Sequence, residues 1–348
     1  MYFNANVNVT DEQYLRTYNI MRLGDIAFEG HSNKEFSHGR FVENYIGDGI
    51  VSHIFTVLRP RVPFDVNYWR YAINNEKLMR LSLIRSTKAS TMMHDLVPSD
   101  FLREAIPTPT LAEQKEIGAF LVGLDHLITL HQRKYDKLCT VKKSMLDKMF
   151  PKPGETEPEI RFEGFTDPWE QRKLGSIAAS FDYGLNAAAT EYDGQNKYLR
   201  ITDIDDTTHE FLKSDLTTPL ADLAMSADYL LEEGDLLFAR TGASVGKTYL
   251  YRQYDGTVYF AGFLIRARIG ESADPEFVYQ ATLTDAYKKY VAITSQRSGQ
   301  PGVNAQEYAD YQLMLPSRTE QQQIGMTLRS LDNLITLHQR EPRFADTG

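Results

Sequence analysis

The sequence lacks the residue patterns that several kinds of protein chemistry require. The single cysteine, Cys139, excludes an intramolecular disulfide and fits a reducing compartment. The eight histidines show no HExxH or similar metal-ligand spacing, and no Ser/His/Asp order stands out. No apolar run approaches 18 residues, and the opening MYFNANVNVT has neither a basic region nor an apolar core. We therefore expect a cytoplasmic protein with no signal peptide, no membrane span, no catalytic residues, no metal and no cofactor.

Positive charge is scarce as well. Lysine and arginine number 38 against 47 aspartates and glutamates, which gives a net charge of −9. Because phosphate binding favours a basic surface, this balance argues against a nucleic-acid partner unless the basic side chains are sorted onto one face. The 42% hydrophobic content is that of a globular protein, and 348 residues allow two or three domains.

Two similar helical patterns organise the chain. The run EQKEIGAFLVGLDHLITLHQR begins at Glu113 and recurs 207 residues later, from Glu320, as EQQQIGMTLRSLDNLITLHQR. Apolar residues in both copies are spaced 4-3-4-3, which is typical of a helix that packs along another helix. We expect the two helices to pair antiparallel as a spacer. The residues predicted to face the seam are Ile117, Leu121, Leu124, Ile128, Ile324, Leu328, Leu331 and Ile335.

The globular parts repeat too. Gly24-Asp-Ile-Ala-Phe28 corresponds to Gly234-Asp-Leu-Leu-Phe238, and Pro109 corresponds to Pro316, which indicates a tandem duplication of a domain followed by a helix. Only 23 residues precede Gly24, whereas Trp169 lies 65 residues before Gly234, so the first domain is predicted to lack about forty residues from its start.

Each domain is predicted to combine several strand-like runs, separated by turn residues, with a helical stretch, so the fold class is predicted as α+β. Strands are expected at Asp235–Ala239 and Thr257–Ile269, and Thr110 with Glu113 forms a predicted capping box for the first long helix. The predicted organisation is a truncated first domain at 1–109, a long helix at 110–150, a linker at 151–168, a second domain at 169–316, and a shortened second helix with a tail at 317–348.

Glycine-rich loops of the second domain carry the residues of most interest. The segment Gly242–Thr248 is similar to a phosphate-binding loop, but three residues rather than four separate its first glycine from Gly-Lys, and the following residues look β-like. A turn that presents Arg240, Thr241 and Lys247 outward suits DNA better, although each such loop could simply be solvated. The residues predicted to bind DNA are Tyr183, Gly184, Asn186, Arg200, Arg240, Thr241, Gly242, Lys247, Arg297 and Gln300.

Three segments together resemble one family. These are Pro158–Gly175, the strand Gly234–Phe238 followed by Arg-Thr-Gly-Ala-Ser-Val-Gly-Lys247, and Pro316-Ser-Arg-Thr-Glu-Gln-Gln-Gln-Ile324. In order and spacing they resemble the specificity subunit of type I restriction–modification enzymes. The resemblance implies two target recognition domains that each read half of a split site in double-stranded DNA.

The resemblance also implies partners. In that family, modification (methyltransferase) subunits methylate adenine, and a restriction (endonuclease/translocase) subunit translocates and cleaves, so the specificity subunit itself is not an enzyme. Two alternatives stay open at this point, namely a helical scaffold protein without a DNA role and a P-loop-type ATPase, which the short Gly242–Thr248 spacing disfavours.

Overall fold

The fold comes from a computed structural model that describes residues 12–90, 93–297 and 299–339. The chain divides into two compact units, Met1–His131 and Gln132–Gly348, and the division falls inside the longest helix. Helices and antiparallel sheets occur in both units, which confirms the predicted α+β class. Within the described residues no helix is long and apolar enough to span a membrane.

The first unit is built on a three-stranded antiparallel sheet of order β3-β2-β5. Its core contains Phe28, Phe41, Met79 and Leu83, with two short helices packed over the sheet. The elements are α1 (Glu12–Leu15), β1 (Asn19–Met21), β2 (Ile26–Glu29), β3 (Arg40–Glu43), β4 (Gly49–Val51), β5 (Thr56–Leu58), α2 (Val66–Ala72), α3 (Glu76–Ser86), β6 (Thr87–Ala89), β7 (His94–Leu96), α4 (Pro98–Phe101) and the first part of α5 (Leu111–Lys148).

The second unit repeats this sheet with one more strand, in the order β14-β13-β16-β9. Its larger core contains Trp169, Phe238, Phe277 and Tyr287. After α5 the elements are β8 (Glu170–Lys173), α6 (Leu174–Ile177), β9 (Ala178–Tyr183), β10 (Ala189–Glu191), β11 (Lys197–Leu199), β12 (Thr217–Pro219), β13 (Asp235–Ala239), β14 (Thr248–Leu250), β15 (Val258–Phe260), β16 (Leu264–Ile269), α7 (Pro275–Ala281), α8 (Asp285–Thr294), α9 (Ala305–Ala309), β17 (Gln312–Leu315) and α10 (Arg318–Gln339).

The start of α5 docks on the first unit's globular part through three residues. Gln114 Oε1 accepts a hydrogen bond from Asp65 N at 3.1 Å. One turn later the backbone approaches so closely that a Cβ on Gly118 would lie 2.6 Å from Asp65 Oδ1. Two turns further, Asp125 Oδ2 accepts a 2.5 Å hydrogen bond from the Tyr71 hydroxyl. We call Gln114, Gly118 and Asp125 the first docking set.

The start of α10 docks on the second unit's globular part in the same way. Gln321 Oε1 accepts from Asp274 N at 2.8 Å, and a Cβ on Gly325 would lie 3.0 Å from a side-chain atom of α7. Asp332 Oδ2 accepts from Gln280 Nε2 at 2.8 Å. Gln321, Gly325 and Asp332 form the second docking set. The duplication read from the sequence therefore extends to individual contacts.

The later half of α5 and α10 run antiparallel within the second unit. Lys142 of α5 forms an ion pair with Asp332 of α10. Further along α5, Met149 lies in the same apolar cluster as Ile324 and Leu328, which are earlier residues of α10. As the residue number rises along one helix it falls along the other, so the two helices are antiparallel.

The seam residues predicted on α5 are placed differently. Ile117, Leu124 and Ile128 are exposed and Leu121 is half-buried, so the prediction that a partner helix covers these four is wrong in this structure. The reason is that α10 lies beside residues of α5 that follow Gln132. On α10 itself Ile324, Leu328 and Ile335 are buried, and Leu331 is half-buried against the same core.

Candidate nucleic-acid interface

The candidate interface forms where the central strand of the second unit reaches the surface. All five residues of β13 are buried, and Arg240 follows directly after them. The backbone of Arg240 is fixed on both sides, because its N–H donates to Phe263 O at 3.0 Å and its carbonyl accepts from Val303 N at 2.9 Å. The buried strand therefore holds Arg240 between two loops, one that contains Phe263 and one that contains Val303.

The Arg240 side chain stacks on an exposed tyrosine. Its guanidinium carbon lies 4.9 Å from the centroid of the Tyr183 ring, and the Tyr183 hydroxyl accepts from Ala305 N at 3.2 Å. Within the described parts of the chain, no carboxylate or carbonyl pairs with this guanidinium. A ring beneath the guanidinium orients it while its N–H groups stay available to a ligand.

Gly242 brings two of the predicted loops into contact. It has φ +72°, a region that favours glycine, and a Cβ there would lie 2.9 Å from Gln300 Nε2. Its N–H donates to Pro301 O at 3.0 Å, and the neighbouring Thr241 hydroxyl lies 3.4 Å from the same oxygen. The exposed amide of Gln300 is therefore held beside the turn that begins at Arg240.

A third loop completes the surface. Gly184 packs so tightly that a Cβ would lie 2.2 Å from Ala261 O, and its N–H donates to Leu264 O at 3.1 Å. Asn186 follows it and is exposed, and Phe263 projects with 59% of its surface accessible. We call the following set the reading surface: Tyr183, Gly184, Asn186, Arg240, Thr241, Gly242, Phe263 and Gln300.

Lys247 does not point outward, which corrects the expectation for this turn. Only 16% of its side chain is exposed, and its ammonium pairs with Asp206 and donates to Ile204 O at 3.2 Å. The cause is the tight turn at Gly246, whose N–H donates back to Ala239 O at 3.0 Å. A strand, β14, follows instead of a helix, so the segment also lacks the geometry of a phosphate-binding loop.

Two further predicted cations are already neutralised. Arg200 binds the Asp203 carboxylate through Nε and Nη2 at 2.9 and 2.8 Å, and this pair caps a short 3-10 turn. Arg297 forms an ion pair with Glu307 and donates to Thr294 O at 2.8 Å. Of the four predicted cations, Arg240 alone lacks an acidic partner among the residues that the structure describes.

A cavity of about 830 Å³ lies elsewhere in the second unit, and none of the predicted DNA-binding residues lines it. Its wall includes Lys142 and Arg252, which pair with Asp332 and Glu276. No group of His, Cys, Asp or Glu side chains in the described ranges could hold a metal ion. Cys139, His209 and Lys143 also line its wall.

Sequence reasoning missed Phe263. The run Thr257–Ile269 predicts one strand, whereas the structure has β15 and β16 separated by a turn in which Leu264 N donates to Ala261 O at 2.8 Å. Gly262, just before the phenylalanine, was the available signal for that turn. An aromatic residue in a glycine turn is well placed to contact bases or sugars.

Comparison with known proteins gives consistent results. The model of a family described as type I restriction modification DNA specificity domain matches residues 166–343, just over half of the chain. The MjaVIII type I restriction enzyme specificity subunit of Methanocaldococcus jannaschii is 24% identical over 289 residues, which cover 78% of this chain and 65% of that protein. The EcoKI specificity subunit of Escherichia coli is 25% identical over 265 residues, 71% of this chain and 55% of that protein.

The chain thus spans less than two thirds of the length of these two relatives. Among solved structures, the S subunit of a type I restriction-modification system from M. genitalium is 15% identical and covers 94% of this chain, with 80% of that chain included and a TM-score of 0.52. At this identity the likeness shows a shared fold.

Proposed function

Because this chain belongs to the family defined by the type I restriction modification DNA specificity domain, as its sequence motifs predicted, we propose that it is a non-catalytic subunit that recognises double-stranded DNA. The observation that carries the proposal is the Arg240 guanidinium, which stacks on Tyr183 inside the matched domain and has no acidic partner among the described residues. A guanidinium can donate two parallel hydrogen bonds to guanine O6 and N7 in the major groove. Asn186 and Gln300 add exposed amides, which can pair with adenine.

We infer partners from the same family membership. The chain would direct modification (methyltransferase) subunits and a restriction (endonuclease/translocase) subunit to a split DNA site. Because DNA is the proposed ligand, we propose that the chain acts in the cytoplasm. The acidic balance of the second domain, 13 Lys and Arg against 21 Asp and Glu between Trp169 and Pro316, supports a division of labour. In this division the chain reads bases, and partner subunits supply much of the phosphate contact.

The test is to map methylated adenines in DNA from cells that express this chain with its modification subunits. A single split motif should be methylated, and Arg240→Ala should change or abolish one half of that motif while the other half persists. Arg172→Ala is the matched control, because Arg172 carries the same charge in the same domain but pairs with Glu170 on β8. A complex that assembles but retains no sequence preference in methylation would instead favour the helical scaffold.

A further inference from the structure

The small sheet formed by β1 and β4 in the first unit has an open edge that the second unit covers. In the first unit these two strands pair antiparallel, with Ile20 opposite Ile50. In the second unit Leu230 forms an antiparallel bridge with Tyr259 of β15, and β11 pairs with the other edge of β15. Among the described residues, no strand pairs with β4 on the side where β11 pairs with β15.

The two sheets correspond at the level of single hydrogen bonds. Phe55 N donates to Ser52 O at 3.1 Å in the turn after β4, and Leu264 N donates to Ala261 O at 2.8 Å in the turn after β15. Both residues of the second bond lie 209 positions after those of the first, so Ser52 corresponds to Ala261. The Ala261 N–H donates to Leu199 O of β11 at 2.9 Å, whereas no group of the described residues accepts from the Ser52 N–H. The edge of β4 thus lacks the partner that β11 supplies to β15.

The apolar face of this sheet is exposed as well. Ile20 is 63% exposed and Ile50 is 52% exposed. Their counterparts in the second unit are covered, because Leu230 is half-buried and Tyr259 is 5% exposed. Both of these lie in an apolar cluster with Tyr198 of β11. The first unit therefore exposes apolar side chains on the face that a third strand would cover.

The residues that precede α1 have the pattern of such a strand. Residues 3–9 read Phe-Asn-Ala-Asn-Val-Asn-Val, and this alternation is typical of a strand with one buried face. Since β11 is parallel to β15 and β1 is antiparallel to β4, a strand in the place of β11 would end beside the start of β1. Residues 10–18 would then cross two strand spacings, about 10 Å, which is well within their reach at about 3.3 Å per extended residue.

We propose that residues 3–9 add to the outer edge of β4 as a parallel third strand, with their apolar side chains over Ile20 and Ile50. Addition of a strand to an exposed edge gains main-chain hydrogen bonds, and alternate side chains cover the face beside it. The segment belongs to the same chain, so it needs no association step. It would also close an edge that could otherwise pair with another protein.

The test is hydrogen exchange of the full chain, with fragmentation in the mass spectrometer to resolve the Ser52 amide. This amide should be protected in the wild type and should exchange roughly tenfold faster in Val7→Asp with Val9→Asp, which places charge on the apolar face of the segment. Asn6→Asp with Asn8→Asp is the matched control, because it adds the same side chains to the polar face, and it should keep the protection. Exchange in β2 reports the core of the first unit and should be the same in all three chains.

An unprotected Ser52 amide in the wild type, or equal exchange of this amide in all three chains, would overturn the proposal. Faster exchange in β5 instead would place the segment at the edge of the other sheet, and the proposal would be wrong. If β2 also loses protection, the variant has unfolded the first unit, and the rate at Ser52 in the wild type decides. Sedimentation over a concentration series tests a second copy as the occupant, since protection that appears only in a dimer would mean that another chain supplies the strand.

Discussion

At the residue scale, the reading surface is distinguished by an arginine, Arg240, that has no acidic partner among the described residues of an acidic domain. Arg200, Lys247 and Arg297 are each held by a carboxylate, whereas Arg240 is held by the Tyr183 ring. Stacking fixes the guanidinium plane without using its hydrogen-bond donors. The side chain is therefore oriented in advance for a ligand with paired acceptors.

Replacing Arg240 with alanine should weaken binding to the target by about 1–3 kcal/mol, the usual value of one bidentate base contact. Binding to unrelated duplex should change little. Lys247→Ala should leave the dependence of affinity on salt unchanged, because that cation is already paired with Asp206. Fluorescence anisotropy over a salt series, on the assembled complex, measures both. An equal loss for target and unrelated DNA in Arg240→Ala would assign Arg240 to phosphate contact instead.

Glu43 is a second residue whose environment has a measurable consequence. It is 2% exposed, and neither carboxylate oxygen has a hydrogen-bond partner in the described structure. Burial raises its pKa from an ordinary 4.5 to about 8, with the Asp65 carboxylate adding to the rise and Arg70 opposing it. The sheet register shows why this is unusual, since Glu43 pairs with Ile26 where the second unit pairs Leu250 with Leu236.

The sign of the pH effect follows from that raised pKa. The protonated form is favoured by folding, so the stabilisation is complete below about pH 4.5 and is lost as the pH rises through about 8. The slope in this window should approach 1.4 kcal/mol per pH unit for about one proton. Glu43→Leu should remove the slope and stabilise the first unit most above pH 8.

Trp69 provides the measurement for the first unit. In a Trp169→Phe background it is the remaining tryptophan, so urea unfolding followed by its fluorescence reports the first unit at pH 6 and pH 8. Glu43→Gln is the control that removes the charge and keeps the shape. Identical pH dependence in wild type and both variants would show that Glu43 titrates in the folded protein as it does in the unfolded chain.

At the element scale, the two docking sets determine where each long helix begins its contact with a globular domain. A Cβ on Gly118 would lie 2.6 Å from both Asp65 Oδ1 and Tyr68 N, whereas nothing lies within 4 Å of a Cβ on Gly123 in the same helix. The first glycine is required by close packing. Gly123 lowers the stability of the helix relative to alanine, and no close packing contact requires a glycine there.

Alanine at these two positions should therefore act in opposite directions. Gly118→Ala should destabilise the first unit by about 1–3 kcal/mol, because the new methyl group overpacks the contact with α2. Gly123→Ala should stabilise it by up to about 1 kcal/mol through helix propensity. The same Trp69 unfolding experiment measures both. Stabilisation by both substitutions would mean that α5 can shift away from α2 at no cost.

Local signals were sufficient to predict much of the element structure. The capping box at Thr110 is present, with Glu113 Oε2 accepting from Thr110 N at 2.9 Å, and β13 spans the predicted Asp235–Ala239. What the sequence could not predict depends on neighbours distant in the chain. The partner of Lys247 is Asp206, and nothing near either residue indicates that they meet. For the same reason, the sequence could not show that Arg240 lacks an acidic partner among the described residues whereas Arg200, Lys247 and Arg297 each have one.

At the scale of the whole molecule, the two units differ in how their sheets end. In the second unit β9 covers the edge of β16 through five paired residues. In the first unit β5 corresponds to β16, and no described strand pairs with its outer edge. An uncovered edge leaves backbone groups without sheet partners.

Hydrogen exchange should reveal this difference. Amides of Thr56–Leu58 in β5 should exchange faster than those of Leu264–Ile269 in β16, because local opening of an edge strand breaks fewer contacts. Mass spectrometry of peptides from the full chain makes the comparison directly. Equal protection of the two strands would show that the three-stranded sheet is as stable as its four-stranded counterpart.

The position of the docking sets has a consequence for how such chains can be rebuilt. Gln114, Gly118 and Asp125 all precede the heptapeptide LITLHQR at 127–133, and the second set likewise precedes its copy at 334–340. A genetic crossover within this shared heptapeptide would transfer a globular domain together with every helical residue that it rests on. The transferred domain would therefore keep the helical residues of its own docking set. Each domain, together with the helical turns that it contacts, therefore forms an exchangeable unit. The junction between such units is the heptapeptide LITLHQR, which is identical in both copies.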